Sequence, residues 1–269
     1  MRKAMGFGLL SLITLVGMSM LVWASPPKAE QVSDQSAQTV EMFQAMRDGR
    51  IEVKFIPKDA KEASVLIKNK TDQPLTVKLP DAFAATPVLA QLDGGAGRNR
   101  SSRSSSSTTT NQALGGGWGS GMMGGMGGMG MGMGGGMWNV PPEKIAQIKV
   151  PVVCLEHGKP DPRPAVPYEI KPLEEFSNTP GLREVLQALG SGQVSQRVAQ
   201  VAAWHLENGM SFQELASKQL RFANGARCPY FSPAEIRAAM QLVAKAKQQT
   251  EKQHQQNPSP SPGESLSQK

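Results

Sequence analysis

Ile51-Glu52-Val53-Lys54-Phe55, then Ser64-Val65-Leu66-Ile67-Lys68, then Leu75-Thr76-Val77-Lys78-Leu79 decide the fold. In each run apolar and polar side chains take turns. Successive side chains of an extended strand point to opposite faces, so a period of two gives each strand one dry face and one wet face. Between the second and third runs lies Asn69-Lys70-Thr71-Asp72-Gln73-Pro74, whose Asn, Asp and Pro favour a tight reversal. This predicts that those two runs pair as a hairpin.

Outward from this stretch the same pattern continues. Val88 to Leu92 reads as a fourth strand. Ile145, Ile148, Val150, Val152 and Cys154 share a face in the next one, and Tyr168 and Ile170 follow a proline-rich loop. Upstream, residues 25–48 are polar and read as a tether with a helical turn near Val40 to Met46. Beyond Pro172 the period turns helical. Thr179 and Pro180 open a helix that Gly190 closes, and Val194, Val198, Val201 and Ala202 form the apolar stripe of another that stops at Gly209. Ser211 with Glu214 and Ser232 with Glu235 are capping boxes for two more helices, the second presenting Ile236, Ala239, Met240 and Val243 on one face.

The expected class is therefore α+β: an antiparallel β-sandwich over residues 49–172, a helical segment over 179–253 packed on it, and a disordered Gln/Pro/Ser tail over 254–269. The run from Val65 to Pro80 and the strand Val152-Val153-Cys154-Leu155 resemble Ig-like domains of exported bacterial proteins. The resemblance implies two facing sheets.

Arg2 and Lys3 precede an uncharged run from Ala4 to Trp23, and Ala24 supplies the small residue of a cleavage site. This predicts a signal peptide over residues 1–24 and export to the periplasm, the cell surface or the medium. The only membrane role foreseen is that same segment left uncleaved. Export argues against nucleotide chemistry and DNA regulation. Removing 24 of 269 residues takes away two basic side chains and lowers the net charge from +7 to +5, too little and too scattered for a nucleic-acid footprint.

Residues 93–139 interrupt the strand pattern. A Gly/Arg/Ser/Thr tract leads into a run from Gly115 to Gly136 that holds 14 of the chain's 28 glycines. Glycine loses the most backbone freedom on ordering, so the whole insertion is expected to be disordered. Met122, Met123, Met126, Met129, Met131, Met133 and Met137 place thioethers at short intervals within it. Soft thioethers select Cu(I), which makes Cu(I) the one cofactor the sequence suggests. With Trp118 and Trp138, the same methionines offer an adaptable surface to a partner.

Chemistry is otherwise sparse. No P-loop, HExxH, GxSxG or dinucleotide fingerprint is present, and the acidic pair Glu174 and Glu175 reads as solvated charge, so no catalytic residue is assigned and the chain reads as a non-enzyme. Cys154 and Cys228 are an even pair in an exported chain and form a disulfide candidate. Of the three histidines, His254 is in the tail; a Cys154, His157 and His205 metal centre needs the helices to fold back over the strand end. Gln200 to Leu220 looks like a helix-turn-helix, but two amphipathic helices around a glycine also make an ordinary helical layer, with Trp204 as its anchor.

Val153-Cys154-Leu155 and Ala199-Gln200-Val201-Ala202-Ala203-Trp204 resemble the cysteine and glutamine signatures of bacterial surface adhesins that carry an internal thioester. That resemblance implies a bond between Cys154 and Gln200 that reacts with amines. The sequence thus leads to an exported, non-catalytic binding or structural protein whose partner is a protein or cell-envelope component, with Cu(I) binding and thioester adhesion as alternatives.

Overall fold

The computed structural model describes residues 37–88, 110–118 and 136–256. Residues 1–24, read above as a signal peptide, Met122 to Met133, and residues 257–269 of the expected tail lie outside the described residues, while residues 254–256 of that tail are the end of a helix. In chain order the first elements are β1 (Gln38–Glu41), α1 (Met42–Arg47), β2 (Ile51–Pro57), β3 (Glu62–Asn69), β4 (Leu75–Lys78), β5 (Phe83–Pro87) and β6 (Leu114–Gly116). Then come β7 (Met137–Val140), β8 (Ile145–Cys154), β9 (Tyr168–Pro172), α2 (Leu173–Phe176), α3 (Leu182–Gly190) and α4 (Gln196–Asn208). The chain continues through α5 (Phe212–Ser217), β10 (Gln219–Arg221), β11 (Arg227–Pro229) and α6 (Pro233–Gln256).

The class is α+β, and the alternating runs at 51–55 and 64–68 are strands whose dry faces meet. Ile51 and Phe55 of β2 and Val65 and Ile67 of β3 are buried. Where two facing sheets were expected, six strands close into a barrel in the order β2-β3-β8-β6-β5-β9, every neighbouring pair antiparallel. The last join is a single pair, Phe55 opposite Tyr168. Closure removes the unpaired edges that an open sheet must protect. Phe83 fills the interior, with the Phe55 ring 5.8 Å away and the Trp118 ring 4.4 Å away between centroids.

Several expectations change for local reasons. The Asn69 reversal exists: the Asn69 side chain donates to Gln73 O and Val140 O and accepts from Thr71 N. Yet β3 and β4 do not pair as a hairpin. The turn sends β4 out of the ring into a separate sheet, parallel to β1 and antiparallel to β7. The tether boundary also moves, because Met42 and Ala45 of α1 are buried and β1 holds an edge of that sheet. Strand β5 at Phe83–Pro87 was not foreseen, alanines at 84 and 85 having hidden it from a pattern search; Val88 is exposed beyond it, and residues 89–92 of the expected strand lie outside the described residues.

The largest correction concerns the insertion, which is not disordered throughout. Leu114, Gly115 and Gly116 are a fully buried barrel strand between β5 and β8, and Trp118 is buried after them. Here glycine is required by space. A Cβ on Gly116 would lie 2.5 Å from the Phe83 ring, and one on Gly190 would lie 2.3 Å from the backbone of Gly117. Helix α3 therefore touches the barrel backbone to backbone.

The helical layer follows most of its sequence signals, but at the start of α3 the N-cap is Gly181 in the left-handed region and not Thr179. Ser195 caps α4 by accepting from Val198 N, Gly209 ends it in the left-handed region, and Ser211 with Glu214 forms a complete capping box on α5. Gly190 is the last residue of α3 and not the residue beyond it. On α6, Ile236, Ala239, Val243 and Ala246 are buried while Met240 is exposed. Gln219 and Leu220, at the end of the Gln200 to Leu220 pattern, are not helical but lie in β10, which pairs with β11. One hydrophobic core runs from Phe83 through Leu186 and Ala202 to Phe231, so barrel and helices share an interior.

Candidate functional site

Strand β8 is long, and its burial changes along its length. Its first residues alternate exposed and covered, whereas Val152, Val153 and Cys154 are all buried, because α4 lies across that end. β3 stops opposite Pro151, so beyond it the edge of β8 away from β6 has no neighbouring strand, and its buried N–H and C=O groups must find other partners.

Helix α4 supplies them as carboxamides. Gln200 accepts at Oε1 from Cys154 N and donates from Nε2 to Cys154 O, both at 2.8 Å. One turn earlier, Gln196 donates to Val152 O at 3.0 Å and to Ala60 O at 3.3 Å. Two turns later, Asn208 donates to Leu155 O and accepts from His157 N, at 2.9 and 3.0 Å. Residues four apart on a helix share a face, which is why this row reaches the end of β8 and the residues just past it.

Cys154 and Gln200, named from the sequence as one pair, are thus in contact although 46 positions apart. Gln200 is 4% exposed and Cys154 2%. Burial, with the carboxylates of Asp161 and Asp59 adding to it, pushes the Cys154 thiol up to about 12, so the sulfur is a neutral thiol across the ordinary pH range. Its Sγ lies 4.0 Å from Ala60 O. A cavity of about 60 Å³ opens beside the pair, walled by Asp161, Arg197, Trp204 and Tyr230 among others.

Aromatic rings roof this seam. Trp204 packs edge-on to Phe231 and against Tyr230, and the Lys218 ammonium sits 5.5 Å from the Trp204 ring. Arg197 grips Glu235 through two contacts, at 2.5 and 3.2 Å, and ties α4 to α6. Burial works against ionisation of Glu235, but Arg197 and the Ser232 cap outweigh it and hold its carboxyl below the usual value.

The other sequence candidates do not assemble. Cys154 and Cys228 are both free thiols, the first buried and the second half-buried on β11. His157 faces Trp204 and accepts from Lys218 at 2.7 Å, whereas His205 stacks on Phe212 and bonds Met210 O. Among the described residues no group of three or more His, Cys, Asp or Glu could hold a metal. Met137 stands on β7, partly exposed; the other six methionines named for Cu(I) lie outside the described residues. The helix-turn-helix pattern corresponds to α4 and α5, with Trp204 buried in the core as its anchor.

Sequence reasoning missed Gln196, Asn208 and Asp161. The first two had a readable signal, polar amides spaced by whole turns on the apolar stripe of α4. Asp161 had none, being fixed by a loop. The chain was compared with protein-family models, curated proteins and solved structures, and it matches none of them.

Proposed function

We propose that this chain is an exported, non-catalytic binding protein of the cell envelope that captures its partner through an internal thioester between Cys154 and Gln200. What supports the reading is the Gln200 carboxamide held against the Cys154 backbone in a buried seam. The bond would form when the Cys154 sulfur attacks Gln200 Cδ. Nitrogen leaves with the thiol hydrogen as ammonia, and S–C replaces C–N. The Cys154 N–H already bonded to Gln200 Oε1 polarises that carbonyl and would stabilise the oxyanion of the addition step. A primary amine on the partner then attacks the same carbon, becomes an amide and releases the thiol.

Burial serves this chemistry twice, by keeping water from the thioester and by keeping both reactants in place. The competing role for Gln200 is a fastener that satisfies strand ends and nothing more. Intact mass separates the two. A thioester makes the mature protein lighter than its sequence by about 17 Da, the mass of the ammonia lost, and methylamine then adds about 31 Da to the lighter form. Cys154→Ala and Gln200→Ala should each abolish both changes. A mass equal to the sequence mass, unchanged by methylamine, overturns the proposal.

A further inference from the structure

We infer that Asp161 is the proton carrier of the Cys154–Gln200 reaction, taking the thiol proton and returning it to the departing nitrogen. The inference rests on the thioester reading and adds the group that this reading lacks. A thiol as reluctant to ionise as Cys154 needs a base at hand, because the thiolate is the nucleophile.

Asp161 is one of the groups lining the small cavity that also receives Cys154 and Gln200. Its carboxylate is held in place. Gln112 donates from Nε2 to Asp161 Oδ1 at 2.9 Å, and the Asn111 side chain donates to the Asp161 main-chain carbonyl, so the residue is pinned at both ends. Gln112 in turn is fixed by Tyr168, whose hydroxyl donates to Gln112 O at 2.8 Å. This arrangement leaves a buried group unsatisfied: Gln112 Oε1 has no partner among the described residues. Leaving a buried acceptor unmatched carries a penalty, and here it accompanies an amide whose donor end is turned to the carboxylate.

Arg197 is committed to Glu235 and to the Tyr230 carbonyl, whereas Lys61 lines the cavity with no ion pair among the described residues and, as an ammonium, cannot take a proton; Asp161 is the one carboxylate in the lining. His157 accepts from Lys218 and does not line the cavity. Asp161 is therefore the base the geometry offers. The step balances without any co-reactant. The S–H proton moves to the Asp161 carboxylate as sulfur bonds Cδ. The C–N bond then breaks with return of that proton to nitrogen, so ammonia leaves and Asp161 ends as it began.

The test follows the 17 Da loss over time, at several pH values, in full-length chain recovered unfolded and then refolded. The wild type should close quickly with a shallow pH dependence. Asp161→Asn should close about 10²–10⁴-fold more slowly, the usual scale of a lost general base, and about tenfold faster for each pH unit as hydroxide takes over. Asp161→Glu should recover part of the rate. Gln112→Met, which keeps bulk but removes the donor to Oδ1, should slow closure by a smaller factor, and it decides the matter if Asp161→Asn fails to fold. Closure of either variant at the wild-type rate and pH profile overturns the assignment of Asp161 while leaving the thioester standing. A wild type that never loses the 17 Da removes both.

Discussion

Strands β6 and β10 are each three residues long, and their environments are opposite. Leu114-Gly115-Gly116 is buried at every position, whereas Gln219-Leu220-Arg221 is exposed at every position. Apolar content does not set this order, since each strand carries a single leucine, Leu114 or Leu220, and the two glycines of β6 bury almost no apolar surface. The difference is set by neighbours. β6 is a stave of a closed ring and has strands on both sides, while β10 has only β11. Burial of a short strand is decided by what the rest of the chain brings to it, and glycine at β6 is what permits that approach.

The harshest way to break the contrast is to delete residues 110–118. The ring then loses a member, Asp161 loses both clamps, and cooperative thermal unfolding should disappear; a well-folded deletion would show that β6 is dispensable. Next comes Gln200→Leu, which strands the Cys154 N–H and C=O at about 1–3 kcal/mol for each unsatisfied group; urea denaturation should show a loss near the middle of that range or above. Gly190→Ala sharpens the point about space. In an open helix the change stabilises by about 0.5–1 kcal/mol, yet here the added carbon meets the Gly117 backbone and should destabilise by about 2 kcal/mol. A gain in urea midpoint would refute the close contact.

Smaller effects follow at the rim. Burial, with the Lys218 ammonium adding to it, holds His157 below its ordinary value, so across that window the unfolded chain binds more protons than the folded one. Stability should therefore rise with pH there and be lost as pH falls below about 6.5, the unfolded imidazole value; His157→Gln should flatten this slope in thermal melts taken from pH 7 to 5. Least of all, Phe222→Ser at the exposed end of β10 should change stability by no more than about 0.5 kcal/mol. A larger loss would mean that the hairpin is packed after all.

Legibility followed the reach of the forces involved. Helix starts at Ser211 and Ser232 were readable because a cap is decided within four residues, and β2, β3 and β8 because each carries its own alternation. Partner choice was not readable. Nothing in Leu75 to Lys78 says that β4 will lie between β1 and β7, and nothing in Gly115-Gly116 reports that Phe83 and Leu186 close over them. The site divides the same way. Cys154 and Gln200 stood out by resemblance, Gln196 and Asn208 carried a signal in their spacing whose meaning needed α4 laid across a strand end, and Asp161 depends on two side chains from a segment that composition had marked as loose.

The join between β2 and β9 consists of Phe55 opposite Tyr168 alone, whereas β2 and β3 are matched over seven positions. A ring fastened so unevenly behaves like a curled ribbon with a clasp. Its first breathing motion should be the parting of that clasp, and Tyr168, which also steadies Gln112, would carry the disturbance toward the Cys154–Gln200 seam before the rest of the barrel loosened.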